Sequence, residues 1–127
     1  MRSRDRTRLI VVADSVSMTR QLLGSVFRDL LGLSVVELES SGALLSVVRE
    51  VTPDLVVTQI NQPSDLIIVR EVRDHLAGKG VPIVAMTAWT RTLSCKEVVE
   101  SGVTDCVEKP FDLDDLLQRV RRLLHIE

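Results

Sequence analysis

Five residues of this chain have side chains suited to handling charged groups, and each follows a short apolar run: Asp14, Gln59, Asn61, Thr87 and Lys109. A carboxylate supplies anionic oxygen, an ammonium a point positive charge, a hydroxyl a rotatable donor, and an amide both a donor and an acceptor. Brought to one place, they suit an anion or phosphoryl site. The other residues with chemical potential read more plainly. His75 and His125 lie far apart in sequence and are expected at the surface. Cys95 and Cys106 are too few for a disulfide framework and lack the paired spacing of a zinc site, so free thiols are expected. Cys106 reads as a small, partly buried apolar residue.

The elements that would position these groups follow from the apolar pattern. Five runs rich in β-branched residues recur: Leu9 to Ala13, Val35 to Leu38, Leu55 to Thr58, Pro82 to Met86, and Cys106 to Glu108. Most lack polar alternation, as strands covered on both faces do. Between them run stretches of helical period. Met18, Leu22, Leu23, Val26, Phe27, Leu30 and Leu31 form one stripe that ends at Gly32. Further helices are predicted from about Gly42 to Glu50, Leu66 to Leu76, and Thr92 to Ser101. The last helix has Asp112 as its N-cap and a stripe from Leu113 to Leu124. Strand and helix alternate five times, which implies an α/β fold with a parallel sheet covered by helices on both faces. In such sheets chemistry sits beyond the carboxyl ends of the strands, where the five polar residues fall.

Length and composition limit the function. The 127 residues fit one compact domain, with about the first seven as a flexible N-terminus, and Arg2, Arg4, Arg6 and Arg8 are expected to be solvated. A formal net charge of -2 argues against a nucleic-acid binder acting by bulk electrostatics. No run approaches the roughly 20 apolar residues of a membrane helix, so no membrane role and a cytoplasmic location are expected.

Four segments now carry a resemblance. Val11-Val12-Ala13-Asp14-Ser15, Asp54 to Pro63, Met86-Thr87-Ala88 and Glu108-Lys109-Pro110-Phe111 are similar, in order and spacing, to the motifs of response-regulator receiver domains. The resemblance spans nearly the whole chain. It implies a flavodoxin-like fold, with a five-stranded parallel sheet in the order 2-1-3-4-5 and five helices. It also implies two-component signalling, in which a phosphoryl group is received from a histidine kinase or phosphotransfer partner. Asp14 matches one of two Mg²⁺-holding acids, Thr87 the hydroxyl that follows the phosphoryl group, and Lys109 the ammonium that pairs with it. The family's other acid falls at Ala13, its phosphoacceptor at Gln59 and its switch aromatic at Cys106.

The side chains set the expectation that follows. A carboxamide is a poor nucleophile, and Mg²⁺ is held mainly through carboxylates. Gln59 should therefore form no stable acyl phosphate, and Mg²⁺ binding should be weak or absent, leaving no cofactor. Two arrangements are open: Lys109 pairs with Asp14 and donates to the Gln59 carbonyl oxygen, locking one state, or the amide mimics a charge-neutralised site and holds an active-like shape. The loop after Pro63 is short, and Trp89 either lids the pocket or is an ordinary loop residue. The domain is expected to be no enzyme, acting instead through a protein partner or as a homodimer. The face of the fourth helix, fifth strand and last helix would serve, with Arg91, Lys96, Glu97, Glu100, Arg119 and Arg122, and without direct nucleic-acid binding. Phosphate acceptance by Asp14 or another residue, and anion sensing in the emptied pocket, are the alternatives.

Overall fold

The computed structural model describes residues 7–88 and 95–126. Five strands, β1 (Leu9–Ala13), β2 (Ser34–Leu38), β3 (Leu55–Gln59), β4 (Ile83–Ala88) and β5 (Asp105–Lys109), form one sheet in the order β2-β1-β3-β4-β5. All four pairings are parallel. The connecting helices are α1 (Ser17–Leu31), α2 (Leu44–Glu50), α3 (Pro63–His75), α4 (Cys95–Glu100) and α5 (Leu113–Leu124), and a 3-10 turn, Ser41–Ala43, leads into α2. This is the flavodoxin-like architecture expected from the sequence.

Period two along the central strands divides the core into two layers. Ile10 and Val12 of β1, with Leu55 and Val57 of β3, pack with Leu23 and Phe27 of α1 and Leu116 and Val120 of α5. Val11 and Ala13, with Val56, face the other way, onto Leu44 and Val48 of α2 and Val69 and Val72 of α3. That explains the missing polar alternation: β3 is buried along its whole length because both its faces are covered.

Helix ends follow local chemistry. Gly32 closes α1 at φ 65, a left-handed position that glycine adopts without a side-chain clash. Asp112 caps α5 by accepting from the backbone N–H of Asp114 at 2.9 Å and of Asp115 at 3.4 Å. Asp112→Ala should lower stability by about 1 kcal/mol, read as a shift in urea midpoint at constant slope. Helix α3 starts at Pro63, three residues before the predicted Leu66. Pro63 stands in the first turn, and Gln62 and Asp65 form a reciprocal capping box. The predicted start of α4 at Thr92 lies outside the described residues, as do Arg2, Arg4 and Arg6. Arg8 is no solvated arginine: its guanidinium donates to the backbone carbonyl of Leu124 at the end of α5.

Two polar clamps hold the amino ends of the strands. Asp54 accepts from the Leu9 N–H at 2.7 Å, joining β3 to β1. Arg73 of α3 donates to the carbonyls of Gly102 at 2.9 Å and Val81 at 2.8 Å, and to the Thr104 hydroxyl at 3.4 Å. Burial pulls the Arg73 guanidinium below its ordinary value.

The cysteines contradict the free-thiol expectation. Cys95 and Cys106 are joined as a disulfide, with Cα atoms 5.8 Å apart. Their separation of 11 residues matches no motif spacing; packing of α4 against β5 brings them together.

Candidate functional site

Parallel pairing aligns the carboxyl ends of the strands. Ala13 lies opposite Thr58, Gln59 opposite Met86, and Ala88 opposite Lys109. Asp14, the next residue after β1, is anchored by its backbone N–H donating to Leu38 O at 3.0 Å. Its side chain is fully buried. Oδ1 accepts from the Val16 N–H at 2.8 Å, an Asx-type turn that leads the chain into α1. Oδ2 accepts from Lys109 Nζ at 2.6 Å, as expected, and the Lys109–Pro110 peptide that follows is cis.

Gln59 ends β3 nearly buried, at 7% exposure. Its Oε1 accepts two bonds from Ser15, from the backbone N–H and from the hydroxyl, each at 3.0 Å. The expected donor was Lys109; Ser15 takes that place because the Asx turn at Asp14 folds Ser15 over the strand end. Asn61 is exposed, and its Oδ1 receives the Ala88 N–H at 3.4 Å, tying the loop after β3 to the end of β4. Thr87 is buried in β4, 2% exposed. The sequence reading missed Arg20 as well as Ser15: from α1 it donates to the Asp14 backbone carbonyl at 2.8 Å. An Asp-Ser pair directly ahead of a helix was the available signal.

Neither neighbouring acid competes with Gln59 for the strand-end position. Asp54 sits at the opposite end of β3, bonded to Leu9. Asp65 is buried in the α3 cap, accepting from the Ser41 hydroxyl at 2.7 Å, the Asn61 N–H at 2.9 Å and the Gln62 N–H at 3.2 Å.

The donor set does not suit a divalent cation. Asp14 is the one carboxylate among the strand-end residues described above, and both its oxygens already accept bonds, one from an ammonium. A hard cation needs several free oxygen ligands. Among the described residues no group of three or more Asp, Glu, His or Cys side chains could hold a metal ion.

Other predicted residues are dispersed. Ala13 is fully buried and faces the α2 and α3 layer. Cys106 is in the disulfide. Trp89 and Arg91 lie outside the described residues. Lys96, Glu97, Glu100 and Arg122 are exposed, as are His75 and His125. Arg119 is half-buried and bonded to both oxygens of Asp105 at 2.8 Å and to Asp115 at 2.9 Å. The Asp105 hydrogen bond is the main cause of its raised guanidinium affinity for protons.

Residues 10–121 match the family model described as Response regulator receiver domain. The chain belongs to the response-regulator receiver family. Receivers are modules of two-component signalling. Among curated proteins, this receiver is 36% identical over 121 residues to the DNA-binding response regulator MtrA of Mycolicibacterium smegmatis, covering 94% of this chain and 51% of that protein. It is 25% identical to the chemotaxis protein CheY of Pseudomonas aeruginosa, covering 90% of this chain and 94% of that protein. In fold it is similar to a putative response regulator from Chloroflexus aurantiacus, with a TM-score of 0.81 and 24% identity, covering 94% of this chain and 99% of that one.

The chain thus spans about half the length of MtrA. This corrects the expectation of a protein partner or homodimer without nucleic acid. MtrA is a DNA-binding regulator, and the net charge of a receiver segment carries no information about the remaining half of such a protein. No helix among the described residues is long and apolar enough to cross a membrane.

Proposed function

We propose that this receiver takes no phosphoryl group and works as a non-enzymatic binding module in a cytoplasmic signalling protein. The family's acceptor position falls at Gln59. The observation that carries the reading is the engagement of that amide: Oε1 is occupied by both Ser15 donors. Phosphoryl transfer requires an anionic oxygen in line with phosphorus and cations to neutralise the equatorial oxygens. Gln59 offers a neutral amide, and the Lys109 ammonium is already neutralised by Asp14 at 2.6 Å. Asp14 is an equally poor acceptor, since its oxygens hold the α1 turn and the lysine.

The ion pair supports a domain held in one state without metal. By its likeness to MtrA, its output is a DNA-binding regulator, with the receiver acting through protein contacts on that output. Acetyl phosphate, or beryllofluoride with Mg²⁺, should leave the amide spectrum of the domain unchanged. Stoichiometric, hydroxylamine-labile phosphate on any residue would overturn this reading.

A further inference from the structure

The sequence contains two cysteines, and the fold brings them to each other. Cys95 lies in α4, and Cys106 lies in β5, opposite Ala85 of β4. Their Cα separation of 5.8 Å is in the range a disulfide needs without backbone movement. Both side chains are partly exposed, so a small oxidant or a reductant can reach them.

What the bond fastens makes it more than a staple. Within the described residues α4 spans Cys95–Glu100. Its buried apolar anchor is Val98, while Val99 is 47% exposed. At its other end the Ser101–Val103 turn packs against the sheet, and Arg73 holds the Gly102 carbonyl. Cys95 ties α4 covalently to Cys106 of β5. Opening the bond therefore removes the covalent tie between α4 and β5 while the clamped turn stays in place. In reducing compartments, disulfides that form are usually transient or sensing ones.

We propose that Cys95 and Cys106 are a reversible oxidation site, and that their redox state sets how firmly α4 is held against β5. In the forward direction one thiolate attacks a hydroperoxide. An S–O bond forms, the O–O bond breaks, and the departing alkoxide or hydroxide takes up a proton. The second thiolate then attacks the sulfenic sulfur and expels hydroxide, which leaves as water. The sum is two thiols and one hydroperoxide giving a disulfide, an alcohol or water, and one further water. A dithiol reverses it by thiol–disulfide exchange, supplying two electrons and two protons. The site is independent of whether Gln59 accepts phosphate.

The test uses the full chain without denaturant, treated with hydrogen peroxide or with dithiothreitol. Alkylation followed by mass spectrometry should find both cysteines protected after peroxide and both modified after reductant. Amide exchange within Cys95–Glu100 should be at least about tenfold faster in the reduced form, with β1 and β3 unchanged. Cys95→Ser should exchange like reduced wild type under both treatments. Cys106→Ala should do the same, which guards against misfolding of either variant. The proposal is overturned if the bond survives dithiothreitol in the native protein, since it is then a permanent staple. Two free thiols after peroxide, or equal α4 exchange in both states, would overturn it as well.

Discussion

Lys109→Met should cost about 3–5 kcal/mol of folding stability, because it strands a carboxylate that has no access to water. Asp14 is 0% exposed and Lys109 19%, with 2.6 Å between Nζ and Oδ2. At about 4 kcal/mol lost, a domain of this size should melt roughly 15 °C lower. The surface pairs provide the contrast. Arg28–Glu37 joins side chains 45% and 23% exposed, and Arg119–Asp105 two that are 28% exposed. Breaking either should change stability by about 1 kcal/mol or less. Asp14→Asn in the Lys109→Met background should recover much of the loss, since the neutral amide needs no counter-ion and its oxygen can still accept the Val16 N–H. Urea unfolding of the four proteins in this cycle measures it. A Lys109→Met protein within 1 kcal/mol of wild type would mean that the pair is solvated and holds nothing.

Two substitutions together, Ala13→Asp and Gln59→Asp, should raise Mg²⁺ affinity by at least about three decades over wild type. Each carboxylate contributes roughly 4 kcal/mol at about 4 Å with an effective dielectric near 20. Gln59→Asp alone should fall short of both useful Mg²⁺ binding and stable phosphorylation, since one added charge must compete with Lys109 for the space around Asp14. Ala13→Asp alone should be the least stable of the three. Ala13 is fully buried in the layer of Leu44, Val48, Val56 and Ile60, where an unpaired carboxylate costs several kcal/mol. In the double variant, added Mg²⁺ should raise the melting temperature, because a ligand bound to the native state stabilises it. Calorimetric titration and acetyl phosphate labelling read both effects. Full metal response from Gln59→Asp alone would disprove the double requirement.

The fold was legible because its determinants are periodic. β-Branched runs marked all five strands, and Asp112 and Gly32 marked helix ends through local chemistry. The strand order came from the family resemblance. Helix α3 was read late because its start rests on a proline and a Gln62–Asp65 exchange, while the apolar stripe begins only at Leu66. The strand-end residues were legible as a set, since parallel pairing places them together. Ser15 and Arg20 were not, because their part depends on a turn whose direction no sequence period encodes. The same holds for the cysteines, which meet only when α4 packs on β5. Charge misled in a different way. A value of -2 describes this chain, whereas MtrA, a DNA-binding regulator, is about twice as long.

The clamps of Asp54 and Arg73 divide the sheet by labour. Strand register is pinned at the amino ends, where Leu9, Val81, Gly102 and Thr104 are gripped by the side chains of Asp54 and Arg73. The opposite rim is tied differently, through the buried Asp14–Lys109 pair and the bonds of Ser15 to Gln59. Exchanges there are unequal in cost: Asp14, Lys109 and Ala13 are constrained by burial and pairing, whereas Asn61 is exposed. For anyone re-engineering the molecule, changes at that rim have to be made in sets that keep its buried charges matched.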